Sequence, residues 1–185
     1  MKGNGPADID EFIRHLHIFT HITRHNLEKK FVKEVSEDSV SFVQMNLMRI
    51  LLQNPGQTVG NIAKFMNVSY PAATKTIDKL VKLGFLKRKE DTHDRRIAHL
   101  FLTQSGERAV KKYADLRNEV INKVIDNYGY EKTKLLNDSL REFSGMVVKI
   151  LPINAGVCME CGAFDPAKCT PKQGDKSCGL LDSEN

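Results

Sequence analysis

Apolar residues recur every three or four positions through most of the chain, and this spacing predicts amphipathic helices. Two such helices are expected near the start, over Ile9–Phe31 and Ser39–Leu52. Two more are expected further along, one capped by Thr103 and running to Tyr128, and one over Glu131–Ile150. The pattern therefore predicts a mainly helical chain, with long helices on both sides of a central region.

The central region begins with two short helices separated by a turn at residues 66–68. Thr58 is placed to cap a helix that ends at Phe65, and Ser69 to cap one that ends at Leu83, because a hydroxyl oxygen accepts hydrogen bonds from the free amides of a first turn. We expect the second helix to bury an apolar side that consists of Ile77, Leu80, Val81 and Leu83.

Two strands are predicted next, over Phe85–Lys89 and Ile97–Leu102. The residues between them are polar and lack helical periodicity, so the two strands should form a hairpin with a short charged loop. A short helix, a turn, a second helix and a charged hairpin together make a winged helix-turn-helix. The predicted fold class is thus mainly α with a small β-hairpin wing (α+β).

A winged helix-turn-helix places its second helix in the major groove of DNA, where each base pair presents a distinct set of donors and acceptors. Ser69 and Thr74 can donate or accept hydrogen bonds. The small side chains of Ala72 and Ala73 allow close approach or touch a thymine methyl group. The candidate base-reading residues are Ser69, Tyr70, Ala72, Ala73, Thr74 and Lys75, with Lys79 as a phosphate contact.

The positive charge of the chain is concentrated in the same region. The segment Lys64–Arg96 has nine basic and four acidic residues, so its net charge equals the +5 of all 185 residues. Such a block suggests a polyanion-binding face, although a solvated lysine-rich surface would have the same composition. Arg95 and Arg96 lie near the tip of the predicted hairpin and suit a minor groove, whose negative potential attracts guanidinium groups.

These features occur in an order that resembles the MarR family of bacterial and archaeal transcriptional regulators. The resemblance is carried by VSYPAATKTIDKL at 68–80, LGFLKR at 83–88, DTHDRR at 91–96 and LFLTQSG at 100–106. It extends over about Ile9–Ile150 and implies a sequence-specific, double-stranded DNA-binding regulator, most often a dimeric repressor.

The resemblance also implies how the chain is organised. Residues 1–150 would form an obligate homodimer, interlocked through dimerisation helices at about 8–34 and 104–150 and carrying DNA-binding lobes at about 39–103. Two lobes would bind a palindromic operator. Many members are released from DNA by a small ligand bound between these regions, and some respond to metal or oxidation.

In the wing, the family pattern falls on Asp94, Arg95 and Arg96. The resemblance implies that one arginine braces the wing by pairing with the aspartate and that another reaches the minor groove. Which arginine has which role stays open.

Residues 151–185 depart from the family pattern and contain every cysteine of the chain, at Cys158, Cys161, Cys169 and Cys178. Four thiolates are a complete ligand set for zinc or for an iron–sulfur cluster, and the CxxC pair favours a metal-binding knuckle. A second CxxC pair is missing, which weakens the zinc interpretation. The alternatives are a redox-active dithiol and an unstructured tail without a cofactor. A regulator that senses metal or redox state through this tail is a variant of the main hypothesis.

Three histidines, His17, His21 and His25, follow one another at four-residue steps in the first predicted helix. Neutral imidazoles at this spacing can bind one metal ion. Exposed or interfacial polar positions beside the apolar side of the helix explain them equally simply, and we favour that interpretation.

Other classes of protein receive little support from the sequence. Apolar runs are far shorter than the roughly 20 residues that cross a bilayer, and the polar first ten residues do not resemble a secretory signal, so a cytoplasmic location without membrane contact is expected. We find no catalytic motif and predict no enzyme. A winged-helix adaptor that binds protein is the remaining alternative, but it would not need the basic block.

Overall fold

A computed structural model describes residues 9–36, 39–92, 94 and 97–151. The helices are α1 (Ile9–His21), which continues through a π-helical segment (Ile22–Glu28) into α2 (Lys29–Ser36), then α3 (Phe42–Gln53), α4 (Val59–Met66), α5 (Tyr70–Lys82), α6 (Gln104–Tyr128) and α7 (Tyr130–Ile150). The strands are β1 (Gln57–Thr58), β2 (Leu86–Glu90) and β3 (Ala98–Leu102). The predicted winged-helix class is confirmed, and the four cysteines lie outside the described residues.

Side-chain caps start the helices where the sequence predicts them. The hydroxyls of Thr58 and Thr103 accept the backbone N–H of Asn61 and Gly106, both at 3.1 Å. The second predicted helix begins later than expected, because Ser41 forms a reciprocal capping box with Gln44. Each cap satisfies amide groups that a helix cannot pair within itself, so the cap determines the first residue.

The first helix differs most from its prediction. A single α-helix was expected to end at Phe31, but the helical run continues to Ser36 and widens into a π-helix over Ile22–Glu28. The wider turn shifts the residues beyond it around the helix axis. Phe31 and Val32 therefore face the core, whereas none of the residues of α1 is buried.

The sheet has three antiparallel strands in the order β1–β3–β2. The hairpin register pairs Leu86 with Leu102 and Glu90 with Ala98. The two-residue strand β1 was not predicted, because it is too short to show an alternating pattern. It pairs Gln57 with Leu100, and so joins the start of the helix-turn-helix to the wing.

The core lies between α2, α3, α4, α5, the sheet and the first half of α6. Its largest fully buried side chains are Tyr113, Phe65, Met45, Leu47, Met48, Ile50, Leu51, Ile62, Ile77, Leu80 and Leu100. Leu83 was expected among them but is 37% exposed, because it caps the end of α5 where the chain turns away. Val81 is only partly buried against this core.

Candidate nucleic-acid interface

The turn between α4 and α5 sets the direction of the second helix. Asn67 takes a left-handed conformation, with φ of 52°, and its N–H donates to the carbonyl of Lys64 at 3.1 Å. Val68 donates to the carbonyl of Ala63 at 3.1 Å. Asparagine tolerates this conformation better than most residues do. The chain therefore leaves α4 in a tight turn and enters α5 directly.

The two sides of α5 have opposite character. Ala73, Ile77 and Leu80 are fully buried and hold the helix on the lobe. The exposed residues of α5 include three lysines and one aspartate, and the full set is Tyr70, Pro71, Ala72, Lys75, Asp78, Lys79 and Lys82. Lys75, Lys79 and Lys82 thus lie off the buried side, and α5 presents a mainly basic face to the solvent.

Ala73 corrects the predicted set of base-reading residues. Its side chain has no exposed surface, because it packs in the core on the same side of α5 as Ile77. Its methyl group therefore cannot touch a thymine, and that part of the prediction is wrong. Its neighbour Ala72 is exposed and keeps the role that the sequence suggested for both alanines.

The two hydroxyl groups at the start of α5 already take part in local hydrogen bonds. Ser69 Oγ accepts the N–H of Ala72 at 3.4 Å, so its own hydrogen stays available to a partner. Thr74 Oγ1 donates to the carbonyl of Tyr70 at 2.8 Å, so its oxygen can still accept. Tyr70 itself is 59% exposed beside them. A donor, an acceptor and an aromatic ring are thus close together at the start of the helix.

An ion pair that the sequence analysis missed ties α5 to the hairpin. Arg88 on β2 approaches Asp78 on α5, with 2.7 Å between Nη2 and Oδ1. The two residues are ten positions apart, and only the reversal after α5 brings them together. Lys87 and Lys89 flank Arg88 and are exposed on the same strand. Because successive side chains of a strand alternate between the two faces, these lysines lie on the face of the sheet opposite to Arg88.

The base of the wing is closed by backbone and side-chain bonds. The N–H of Asp91 donates to the carbonyl of Ile97 at 2.9 Å, and the N–H of Ile97 donates to the carbonyl of Asp94 at 2.9 Å. The exposed Asp94 donates its N–H to Oδ1 of Asp91 at 3.0 Å. Arg95 and Arg96 lie outside the described residues, so their predicted roles stay predictions.

His99 on β3 lies behind this loop. Its Nδ1 is 2.7 Å from the carbonyl oxygen of Gly56, and its Nε2 is 2.9 Å from Oδ2 of Asp91. The hydrogen bond to Gly56, and then the one to Asp91, raise the pKa of His99 above its ordinary value. Sequence analysis did not select His99, since a single histidine in a strand has no distinguishing pattern.

A polar cluster lies where α2 and its π-helical segment meet α3 and α6. Tyr113 is fully buried, and its hydroxyl has no hydrogen-bond partner among the described residues. The guanidinium of Arg49 lies 5.4 Å from the centre of the Tyr113 ring. Burial raises the pKa of Glu28, which the positive charges of Arg49, Arg24 and Arg117 oppose. Burial and then the charge of Glu28 raise the pKa of Tyr113.

The three spaced histidines are only partly brought together. The rings of His21 and His25 lie 4.9 Å apart, and with His17, Thr20 and Arg24 they line a shallow cavity of about 310 Å³. Within the part of the chain that the structure describes, no three His, Cys, Asp or Glu side chains converge as a metal site would require. All three imidazoles lie at exposed positions of the helical run.

The end helices present large apolar surfaces. Neither α1 nor α7 contains a buried residue, although an edge-to-face contact of 5.3 Å between Phe12 and Phe143 links them. Apolar residues exposed on the two helices include Ile9, Phe19, Leu135, Leu136, Leu140, Met146, Val147 and Ile150. No helix in the described residues has both the length and the apolar character needed to cross a bilayer.

Comparison with known proteins agrees with this architecture. The model of the MarR family matches residues 40–98. The HTH-type transcriptional regulator BilQ of Clostridium symbiosum is 25% identical over 118 residues, which are 64% of this chain and 82% of BilQ. FabT of Streptococcus pneumoniae, solved in complex with DNA, has a TM-score of 0.66 at 18% identity and covers 78% of this chain and 100% of FabT. RV1404 of Mycobacterium tuberculosis has a TM-score of 0.68 at 18% identity, and the match covers 77% of this chain and 96% of the RV1404 chain.

Proposed function

We propose that this chain, which belongs to the MarR family, is a dimeric repressor that binds double-stranded operator DNA through α5 and the wing. The two-sided character of α5 carries the proposal. Ala73 and Ile77 anchor the helix to the lobe, while Lys75 and Lys79 are exposed on its outer surface. An α-helix has the width to enter the major groove of DNA. FabT, a neighbour in fold, was solved with DNA, which supports the same assignment.

Selection of bound duplexes from a random pool would test DNA binding. We expect an enriched, palindromic sequence and an affinity that falls steeply with salt, because phosphate contacts release counterions. Lys75→Ala should weaken binding of the enriched duplex by about 1–3 kcal/mol. The matched control is Lys134→Ala on α7, which should leave binding unchanged. An affinity independent of salt, without enrichment, would favour the protein-binding adaptor instead.

The proposed partner of α1 and α7 is a second copy of the chain. Both helices expose apolar side chains that water would have to solvate in a monomer, among them Phe19, Leu140 and Phe143. Apolar side chains exposed along two neighbouring helices are typical of an obligate interface, which resembles a domain core, rather than of an isolated surface. A two-fold dimer would also present two copies of α5, as a palindromic operator requires.

A small effector is proposed to act at the polar cluster around Tyr113. A buried hydroxyl without a partner is rare, and a ligand that accepts the hydrogen bond of Tyr113 would gain an interaction that the described residues do not provide. Arg49 and Arg117 near Glu28 make the surroundings positive, which suits a carboxylate. We would measure release of the enriched duplex by benzoate in wild type and Tyr113→Phe. Equal release from both would exclude Tyr113 as a contact.

The four cysteines of the tail are proposed to bind one zinc ion. The support comes from the sequence alone: Cys158 and Cys161 form a CxxC pair, and Cys169 and Cys178 complete a set of four thiolates. Elemental analysis of protein purified with and without oxygen would test this. Zinc in both preparations is expected. Iron with sulfide would support the cluster alternative, and absence of both metals would exclude a metal centre.

A further inference from the structure

The histidine behind the wing makes two contacts that one neutral ring cannot satisfy. The carbonyl oxygen of Gly56, beside Nδ1, can only accept a hydrogen bond, and so can the ionised carboxylate of Asp91 beside Nε2. A neutral imidazole has one N–H and one lone pair. It can donate to one of these oxygens, but it must then point its lone pair at the other. Only the doubly protonated ring of His99 donates to both.

The three groups that meet here belong to different parts of the lobe. Gly56 lies in the loop between α3 and β1, His99 lies on the central strand β3, and Asp91 is the first residue after β2. Oδ1 of Asp91 also accepts the N–H of Asp94 at 3.0 Å, one step further into the wing loop. A protonated His99 therefore connects the wing loop to the sheet and to the entrance of the helix-turn-helix.

We propose that His99 is a positioning residue for DNA binding, whose protonated form holds the wing loop in the geometry that DNA requires. This inference rests on the proposed function, because it assumes that the wing contacts DNA. It adds a consequence that DNA binding alone does not imply: affinity should fall as the ring loses its second proton. His99 is placed to act through Asp91 and the loop rather than by touching a base.

Among the described residues, few other charged groups face the His99 ring. Asp91 faces it from the wing loop and favours the protonated form. Lys89 is its register partner on β2, and the Lys89 ammonium lies 5.1 Å from the ring centre of Phe101. From β1 the register partner is the uncharged Thr58. The only carboxylate that these elements bring within hydrogen-bond distance of the His99 ring is that of Asp91.

The sign of the pH dependence follows from these contacts. The hydrogen bonds to Gly56 and Asp91 raise the pKa of His99 in the folded protein. The stabilisation of the folded state by His99 is therefore complete below the pKa that this histidine has in the unfolded chain. It is lost as pH rises through the folded-state pKa. The contacts of His99 with Gly56 and Asp91 should therefore persist at acidic pH and weaken as pH rises through the folded-state pKa.

The test measures binding of the full-length chain to a duplex enriched from a random pool at about pH 6, where imidazole is largely protonated. Between about pH 6 and pH 8.5 we expect wild-type affinity to fall by about three- to tenfold, the size of one ordinary hydrogen bond. His99→Gln, which cannot titrate, should bind weakly and lose this dependence. The control His93→Gln changes the histidine of the segment 91–96 and should keep the pH dependence.

A second measurement determines the protonation state of His99 without DNA. Ring-nitrogen NMR of the full-length protein should show His99 with both nitrogens protonated on the acid side, and Asp91→Asn should lower its pKa by removing the carboxylate. A wild-type pH profile retained in His99→Gln, or lost in His93→Gln instead, would overturn the inference. A wild type that binds DNA equally at every pH would overturn it while leaving the proposed function intact. Failure to enrich any duplex would overturn the proposed function and this inference with it.

Discussion

The DNA-binding lobe and the end helices use their apolar residues in different ways. In the lobe, the apolar sides of α3, α4 and α5 meet within one chain, and residues such as Met45, Ile62 and Leu80 are fully buried. In α1 and α7, comparable residues repeat at the same spacing, yet none is buried. The periodicity is the same in both regions, and only the location of the matching surface differs.

The difference separates two kinds of stability. The core of the lobe comes from contacts within one chain, whereas burial of the end helices would depend on protein concentration through the proposed second copy. The two regions are connected by Thr103, whose hydroxyl donates to the carbonyl of Gly84 at 2.6 Å while it caps α6. Movement of α6 in a dimer would therefore be transmitted directly to the end of α5.

The largest expected effect is the loss of dimerisation when a charge is placed on the apolar surface of α7. Leu140→Asp or Phe143→Asp should give monomers or unfolded chains, since a charge placed in an apolar interface costs about 3–5 kcal/mol when it has no partner. Light scattering and circular dichroism measure the two outcomes. Lys134→Asp introduces the same side chain on α7 outside the apolar set and should stay dimeric. A well-folded dimer of Leu140→Asp would contradict the assignment.

The next effect concerns the wing and should leave the dimer intact. Replacing Arg95 and Arg96 together by Ala is expected to cost about 2–4 kcal/mol of DNA affinity, enough to abolish operator binding at ordinary concentrations. Neither residue occupies an apolar periodic position, so the melting temperature should not change. Arg141→Ala, on α7, is the control. Wild-type affinity in the double variant would refute the wing assignment.

A smaller effect tests the junction between the two regions. A side chain at Gly106 would overlap the carbonyl oxygen of Phe85 and lie 2.9 Å from a methyl group of Leu102. Gly106→Ala should therefore destabilise the protein by about 1–3 kcal/mol in a denaturant titration. Gly60→Ala is the matched control, because its added methyl meets only Thr58 Oγ1 at 3.8 Å. Equal stability of the two variants would show that α6 can shift away from β2.

The smallest effect concerns the tail. A chain truncated after Leu151 should bind the enriched duplex like the full-length protein under reducing conditions. If the tail senses metal or oxidant, the two should diverge when zinc is removed or an oxidant is added, by about tenfold for a coupling of about 1.4 kcal/mol. Equal binding in every condition would leave the polar cluster around Tyr113 as the proposed sensing site.

Much of the lobe could be predicted because its signals are local. Thr58, Ser69 and Thr103 cap their own helices through residues three positions away, so sequence spacing contains the whole interaction. The errors occurred where a neighbour distant in sequence decides. Ala73 is small enough to suit either side of α5, and only the packing of the core selects the buried side.

The sequence by itself determined the order of the helices, the basic block and the resemblance to a family, because periodicity, capping and charge are properties of adjacent residues. Tertiary structure alone decided the strand β1, the pairing of Arg88 with Asp78 and the contacts of His99 with Gly56 and Asp91. Gly56 and His99 are 43 positions apart and become partners only when the sheet closes. Hydrogen bonds and ion pairs depend on distances of about 3 Å, which no linear pattern encodes.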